Sequence, residues 1–440
     1  MVRTVYIRTF GCQMNVHDSE KIFGVLQKEG YSETEDPRKA DLIIFNTCSI
    51  RQKAEHKFYS ELGRVKFYKK RRPRIKIAVA GCIAQHEGEN IFKKAPYVDF
   101  IFGPQNIHML KDLTSGRTAP VAIKDNPEIA ITDLPAKRAD GVKAWVTIMY
   151  GCNNFCSFCI VPYTRGKERS RPSENIFSEV KELADSGYKE ITLLGQNVNS
   201  YRSDTDFPGL LRRLSRVEGI ERIRFVTSHP RDLSDELIAT ISELPEVCEH
   251  IHLPLQSGSD RILRLMNRGY TYEEYIRKVS RLREKVPGIS ITSDIIAGFP
   301  GETENDHLQT IEALKEIEFD GIFAFKFSPR PGTRAAGMQG HLPEEVKSER
   351  LSQILEVQEK ITAIKNRSLE GTIQEILIER ESETDMEKLI GRTRTNKIVN
   401  IPKIDPETSS GGKGSFMLVE ITKGRQHSLE GRIVEEGTRK

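Results

Sequence analysis

Three cysteines stand close together in "MYGCNNFCSFCIVPYTRG", Met149 to Gly166: Cys152, Cys156 and Cys159. Thiolates are the usual ligands of iron–sulfur cubes, and a short loop spaced C-x3-C-x2-C can wrap one corner of a 4Fe-4S cluster. Three ligands leave the fourth iron open to a guest, much as a catalytic zinc keeps one position free. Zinc is the metal alternative, but no fourth protein ligand follows at finger-like spacing. Cys12, Cys48 and Cys82 lie far apart in sequence, yet each stands just beyond an apolar run: "TVYIRTFGC", "LIIFNTC" and "IAVAGC". Parallel strands all end on one sheet edge, where ligands bind, so these thiols are expected to meet there as a second triad. The alternative is three isolated buried thiols, the ordinary fate of a free cysteine. Cys248 reads as a buried structural thiol.

Hydrophobic patterning supplies the elements that must position these residues. In the first third, strands "TVYIRTFGC", "ADLIIFNTC", "RIKIAVAGC" and "VDFIFGP" alternate with helices. The helices are "DSEKIFGVLQKEG" (opened by Asp18 or Ser19, closed by Gly30), a charged helix through about Lys70, and "NIHMLKDL". That alternation predicts a parallel sheet with helices on its faces. Residues 114–143, with Pro120, Pro127 and Pro135, read as a linker or covering strap. From Ala144 a second alternation offers "AWVTIMYG", "EITLLGQN", "RIRFVTSH", "HIHLPLQS", "SITSDIIAGFPGE" and "GIFAFKFSP" as strands, with Ser173 capping the first helix between them. The expectation is a partial (β/α)6 barrel with its functional loops at the C-terminal strand ends. An open doubly wound sheet is the alternative. A long amphipathic helix follows, with Leu351, Ile354, Leu355 and Ile361 on one face. After Gly371, short strands predict a small OB-like β-barrel. The expected α/β architecture therefore divides at 1–119, 138–370 and 371–438.

The 440 residues carry 67 Lys+Arg against 63 Asp+Glu, a net charge of +4 that is too weak to identify a polyanion partner. With 37% hydrophobic and 30% charged residues, a disordered majority is excluded. No apolar stretch approaches the roughly 20 residues that span a bilayer. "MVRTVYIRTFGC" lacks the features of a signal peptide, so the protein reads as cytoplasmic. Arg64 to Lys76 is a basic run containing Phe67 and Tyr68, equally a solvated helix end or a polyanion footprint. In the C-terminal barrel acids balance bases, and a basic face would need Arg392, Arg394, Lys397 and Lys403 to segregate.

"GCNNFCSFCIVPYTRG" resembles the signature of radical S-adenosylmethionine (SAM) enzymes, in which the open iron binds SAM. The resemblance implies a 5′-deoxyadenosyl radical that takes hydrogen from unactivated carbon. It implies SAM contacts from Gly195, Gln196 and Asn197 in "LLGQNVNSY", Gln256 and Ser257 in "HLPLQSGSD", and Asp294 in "SDIIAGFPGET". Arg165 is expected at substrate phosphates or the SAM carboxylate, and Arg330, in "SPRPGTRAA", near substrate.

A three-cysteine α/β domain, a radical SAM core and a small barrel of the kind called TRAM together resemble the methylthiotransferase family over nearly the whole chain. "TFGCQMNVHDSE", "FNTCSIRQKAEHKF" and "GCIAQ" are similar to its MiaB branch. That resemblance implies two 4Fe-4S clusters, an auxiliary one on Cys12, Cys48 and Cys82 and a SAM-binding one on Cys152, Cys156 and Cys159. It implies transfer of a methylthio group to C2 of N6-dimethylallyladenosine at position 37 of tRNA, beside the anticodon. One SAM would supply the methyl and a second the radical. Further implied are a flavodoxin- or ferredoxin-type electron donor, an iron–sulfur supply protein and a monomeric state. Related branches act on threonylcarbamoyl-adenosine of tRNA or on ribosomal protein S12, and are the alternative.

Overall fold

The apolar runs before Cys12, Cys48 and Cys82 are neighbouring strands of one sheet. The computed structural model describes residues 2–49, 52–138, 141–383, 385–403 and 412–436. Residues 1, 50, 51, 139, 140, 384, 404–411, 437 and 438, within the expected domains and strap, lie outside them. Strands β1 (Arg3–Thr9), β2 (Tyr31–Glu33), β3 (Leu42–Thr47), β4 (Lys76–Gly81), β5 (Phe100–Phe102) and β6 (Val121–Ala122) form a parallel sheet in the order β2-β1-β3-β4-β5-β6. The sequence patterning missed β2 and β6, which are too short for alternation to register. Helices α1 (Gln13–Lys28), α2 (Gln52–Arg71), α3 (Cys82–Glu87), α4 (Asn90–Lys94) and α5 (Leu110–Ser115) complete this domain. Ile43, Phe45, Ile77 and Val79 pack with Phe58 and Leu62 of α2 on one face. Leu42, Ile44, Ala78 and Ala80 pack with Ile22 and Leu26 of α1 on the other. Double-sided burial is why these strands read as continuous apolar runs.

Helix α1 begins at Gln13, not at Asp18 or Ser19 as expected. Cys12 is its N-cap, with extended backbone (φ −105, ψ 178). Asn15 and Asp18 look like pre-helical polar residues but are interior ones, 0% and 3% exposed. Of the expected strap, 114–143, the first part is the end of α5 and strand β6, and only the stretch from Ile123 to Arg138 runs as a covering strap. The Pro135 carbonyl sits where a Cβ on Gly24 would be 2.2 Å away, so only glycine admits it. Asp125 and Asp133 pair with Arg169 (2.6 Å) and Arg171 (3.2 Å) of the next domain.

In that domain β7 (Lys143–Thr147), β8 (Met149–Tyr150), β9 (Arg169–Ser170), β10 (Glu190–Leu194), β11 (Arg222–Phe225), β12 (His250–His252), β13 (Ser290–Ala297) and β14 (Gly321–Lys326) alternate with helices. Two parallel three-stranded sheets, β11-β10-β7 and β12-β13-β14, are joined by an Ile223–Val247 bridge into a partial six-stranded barrel. Strands β8 and β9 pair antiparallel beside the cysteine loop. Around them lie α6 (Val161–Thr164), α7 (Ser173–Asp185), α8 (Phe207–Leu214), α9 (Asp235–Glu243), α10 (Asp260–Leu265), α11 (Tyr272–Lys285), α12 (Glu304–Ile317) and α13 (Glu344–Arg367). Ser173 is inside α7 and Pro172 is the cap; the serine N–H donates to Asp204 at 2.8 Å. On α13, Leu351, Ile354 and Ile361 pack inward while Leu355 is 38% exposed. Arg350 and Gln358 occupy the rest of that buried face.

The C-terminal strands β15 (Ile373–Glu381), β16 (Lys388–Thr393), β17 (Ile398–Pro402), β18 (Phe416–Gly424) and β19 (Leu429–Glu436) close into a barrel. The four basic residues that a basic face would need are not segregated on it: each is paired with an acidic residue. The turn after β16 is docked on the central domain, where Arg394 pairs with Glu249 at 2.8 Å. Buried Arg222 and Arg224 donate to the carbonyls of Arg392 (2.7 Å) and Thr393 (2.7 Å). Arg392 bonds Glu379 at 2.8 Å, Lys397 reaches Asp320 at 3.2 Å, and Lys403 pairs with Glu381 at 3.0 Å. Buried guanidiniums need acceptors, and the turn supplies them. Among the described residues no helix is long and apolar enough to cross a membrane.

Candidate active site and metal centres

The N-terminal triad is built from three adjacent strand ends. Cys12 follows β1, Cys48 follows β3, and Cys82 opens α3 after β4. Glycines allow the close approach. A Cβ on Gly11 would be 2.3 Å from the Cys48 Cβ, and one on Gly81 would be 2.4 Å from the Thr47 carbonyl. Beneath the thiols, Asn15 donates to the Thr47 carbonyl (3.0 Å) and Asn46 to the Asn15 carbonyl (2.8 Å), locking α1 to β3. Cys12 Sγ donates to Asn15 Oδ1 at 3.4 Å. Its thiol is lowered to about 5, first by the hydrogen bond with Cys48 and against burial, then by Arg165 and the N–H groups that open α1. Burial pushes the Cys82 thiol up, with Arg165 opposing.

Arg165, expected at a phosphate or the SAM carboxylate, is turned inward and paired with a carboxylate of the chain itself. It is 5% exposed, reaches out of the central domain, and pairs with Asp18 of α1 at 2.8 Å beside Cys12 and Cys82. Gln105 fixes its carbonyl at 2.7 Å.

The second triad occupies one loop at the C-terminal end of the barrel. Cys152 and Cys156 are 8% exposed, and Phe155 between them has φ +46. The loop is braced from behind by "LMNRGY", Leu265 to Tyr270. Ser157 N–H donates to the Met266 carbonyl (2.9 Å), Ser157 Oγ to the Leu265 carbonyl (2.7 Å), and Asn267 to the Phe155 carbonyl (3.1 Å). Arg268 Nη1 donates to Cys156 Sγ at 3.3 Å. Burial raises the Cys152 thiol to about 11 and the Cys159 thiol to about 12. Among the described residues no three His, Cys, Asp or Glu side chains close on a single metal ion. A cube, whose corners stand apart, makes no such demand.

Beside this loop lies a set of buried polar atoms with no hydrogen-bond partner: Thr147 Oγ1, Gln196 Nε2 and Oε1, Asn197 Oδ1, Ser228 Oγ and His229 Nε2. All stand at or just beyond the C-terminal ends of β7, β10 and β11. Buried orphans are uncommon, and each costs about 1–3 kcal/mol. Gathered at one end of a barrel, they suit a polar guest such as SAM. Asn197 Nδ2 is held by Asp232 at 2.7 Å, and a Cβ on Gly195 would be 2.5 Å from Met149 Cγ. His229 is lowered to about 2 by burial and by Arg268. Its Nδ1 accepts from the Arg231 N–H at 3.2 Å, which leaves Nε2–H as a neutral donor.

Across the barrel, Gln256 (φ +74) is bonded through its backbone to the Asp294 carbonyl at 2.9 Å. Asp294 stands 3.5 Å from His252. Ser257 is committed elsewhere, to Thr310 at 3.3 Å and Ser259 at 3.2 Å, and organises the turn into α10. Thr147, Ser228, His229 and Arg268 escaped the sequence reasoning. Thr147, Ser228 and His229 fall inside the runs "AWVTIMYG" and "RIRFVTSH" that the sequence marks as strands, so nothing local singled them out.

A cavity of about 450 Å³ lies between the two domains, lined by Ser49, Glu55, His86, Lys94, Ile160 and Arg330 among others. Ser49 follows Cys48 and Ile160 follows Cys159 in the chain, so the cavity opens next to one residue of each cysteine segment, though no cysteine among the described residues lines it. Arg330, 3.5 Å from Glu55, is on its wall.

Comparison with known proteins agrees with this division. Residues 4–103 match the uncharacterized protein family UPF0004, 146–314 the radical SAM superfamily and 367–434 the TRAM domain. The chain is 56% identical over 434 residues to a tRNA-2-methylthio-N(6)-dimethylallyladenosine synthase of Thermodesulfovibrio yellowstonii, covering 98% of this chain and 99% of that one. It is 47% identical over 443 residues to the Moorella thermoacetica protein of the same name, covering 98% and 99%. Among solved structures, the radical SAM methyltransferase TsrM of Kitasatospora setae, with cobalamin and a [4Fe-4S] cluster bound, superposes with TM-score 0.60 at 16% identity, over 76% of this chain and 77% of that one. The cobalamin-dependent radical SAM enzyme OxsB gives TM-score 0.53 at 12% identity, over 82% and 56%. These last two share the fold.

Proposed function

The chain belongs to the family of tRNA-2-methylthio-N(6)-dimethylallyladenosine synthases, and from that premise we propose that it places a methylthio group on C2 of N6-dimethylallyladenosine beside the tRNA anticodon. It is a radical SAM enzyme, with an iron–sulfur cluster and SAM as its cofactors and tRNA as its substrate. Cys152, Cys156 and Cys159 would hold the SAM-binding 4Fe-4S cluster, and Cys12, Cys48 and Cys82 an auxiliary one. A cluster and SAM together supply an organic radical able to take hydrogen from an aromatic carbon, which no side chain can do.

The chain's own residues do the rest. Gln196, Asn197, Ser228 and His229 offer buried donors and acceptors to SAM. The strap and the Arg165–Asp18 pair hold the two domains together, and Arg165 of the cysteine-loop segment lies beside Cys12 and Cys82 of the other triad. That docking of one cysteine segment against the other is the observation that carries the proposal. A base taken out of its stack can enter the cavity between the domains, and Arg330 on its wall suits a phosphate or the base edge. On this view the chain works in the cytoplasm as a monomer. It draws electrons from a flavodoxin- or ferredoxin-type donor and its clusters from a supply protein.

The test is mass spectrometry of tRNA nucleosides from cells lacking the gene. The 2-methylthio nucleoside should vanish and its N6-dimethylallyl precursor accumulate. Unchanged nucleosides would refute the assignment.

A further inference from the structure

Arg268 carries a charge that no carboxylate among the described residues answers. It is 5% exposed, and a guanidinium stays protonated in any protein. Each of its contacts is neutral or sulfur: Tyr270 Oη accepts from Nε at 3.1 Å, the Pro254 carbonyl from Nη2 at 2.9 Å, and Cys156 Sγ from Nη1 at 3.3 Å. Among the described residues it has no acidic partner within ion-pair distance. An isolated buried cation is strongly disfavoured unless something anionic compensates it. Arg165, at the other triad, has Asp18. Arg268 has only the thiols: Cys156 in contact, with Cys152 and Cys159 within its electrostatic reach.

The contacts also fix it. Tyr270 Oη is itself held by the Leu255 carbonyl at 2.9 Å, and the neighbouring Asn267 is tied to the cysteine loop at Phe155. These contacts hold the guanidinium against the loop and away from solvent.

Given that Cys152, Cys156 and Cys159 hold a 4Fe-4S cluster, as proposed above, we infer that Arg268 is a positioning residue for that cluster that also sets how readily it accepts an electron. Three thiolates on a cube leave a net anion, and the incoming electron adds to it. A fixed cation and an N–H donor at one sulfur stabilise the reduced form more than the oxidised one and raise the reduction potential.

The test is an EPR-monitored redox titration of the anaerobically reconstituted full-length protein, wild type against Arg268→Gln and Arg268→Lys. In Arg268→Gln the SAM-binding cluster should be at least tenfold harder to reduce, a 59 mV negative shift for one electron. Arg268→Lys should recover most of that shift, and the auxiliary cluster should not move in either. An unmoved potential in Arg268→Gln, with full iron, overturns the inference. Should the variants fail to take up iron, wild-type protein carrying ¹⁵N-guanidinium arginine decides. A nitrogen coupling on the reduced SAM-binding cluster supports the contact, and its absence overturns it. Wild-type protein with no iron–sulfur signal from this triad would instead defeat the cluster assignment itself.

Discussion

The two cysteine triads solve one problem in opposite ways. The central triad is local, with three thiols in one loop, and only its backing comes from elsewhere in the chain. The N-terminal triad is assembled from three strand ends and depends on the sheet to exist. Their cations differ likewise: Arg165 enters from the neighbouring domain already paired with Asp18, while Arg268 meets the cysteines unescorted. The thiols differ for other reasons: the hydrogen bond with Cys48 comes first in bringing Cys12 to about 5, while burial raises Cys82 of the same triad and takes Cys152 and Cys159 to about 11 and 12. A local loop tolerates a dry, uncompensated setting. A triad spread over three strands is tied into polar contacts that also join two domains.

The largest predicted effect separates the two by function. Cys156→Ala should abolish SAM cleavage, whereas Cys12→Ala should still release 5′-deoxyadenosine yet make no methylthiolated product; chromatography of both species checks it. Next is Arg165→Met, which strands Asp18 as a buried unpaired charge. We expect a loss of about 3–5 kcal/mol in denaturant unfolding, largely restored by adding Asp18→Asn. No matching dependence on a carboxylate should appear at the central loop. Smaller is Gly81→Ala. With φ +86 and the Thr47 carbonyl in the way, it should cost about 1–3 kcal/mol and lower the iron bound by the N-terminal triad alone. Smallest is a difference in rate. In iron-free protein near pH 7, Cys12 should be largely thiolate and alkylate with iodoacetamide well before Cys152 or Cys159, followed by peptide mapping. Equal rates would erase the electrostatic contrast.

The placement of Cys12, Cys48 and Cys82 at neighbouring strand ends, and of the other three in one loop, was legible because thiols after strands and thiols at fixed spacing are local signals. The barrel and its strand ends were legible for the same reason. Arg165 was not. Its neighbours "YTRGK" look like a basic strip, and only the strap and α1 folding over it reveal an inward guanidinium. Arg394 and Lys397 misled similarly, since a docking turn and a nucleic-acid face have the same composition. Arg268 and His229 went unseen because their importance lies in what they fail to find nearby, which a linear sequence does not record. The start of α1 was misjudged because a cysteine is an unusual cap.

The claim on which everything depends is that each triad holds its own cluster with one corner open. Anaerobic iron and sulfide analysis of the wild type and of each triple Cys→Ala variant tests it most directly. The account predicts about eight irons per chain, falling to about four when either triad is removed. A wild-type content of about four, or a triple variant that keeps the full complement, would contradict it.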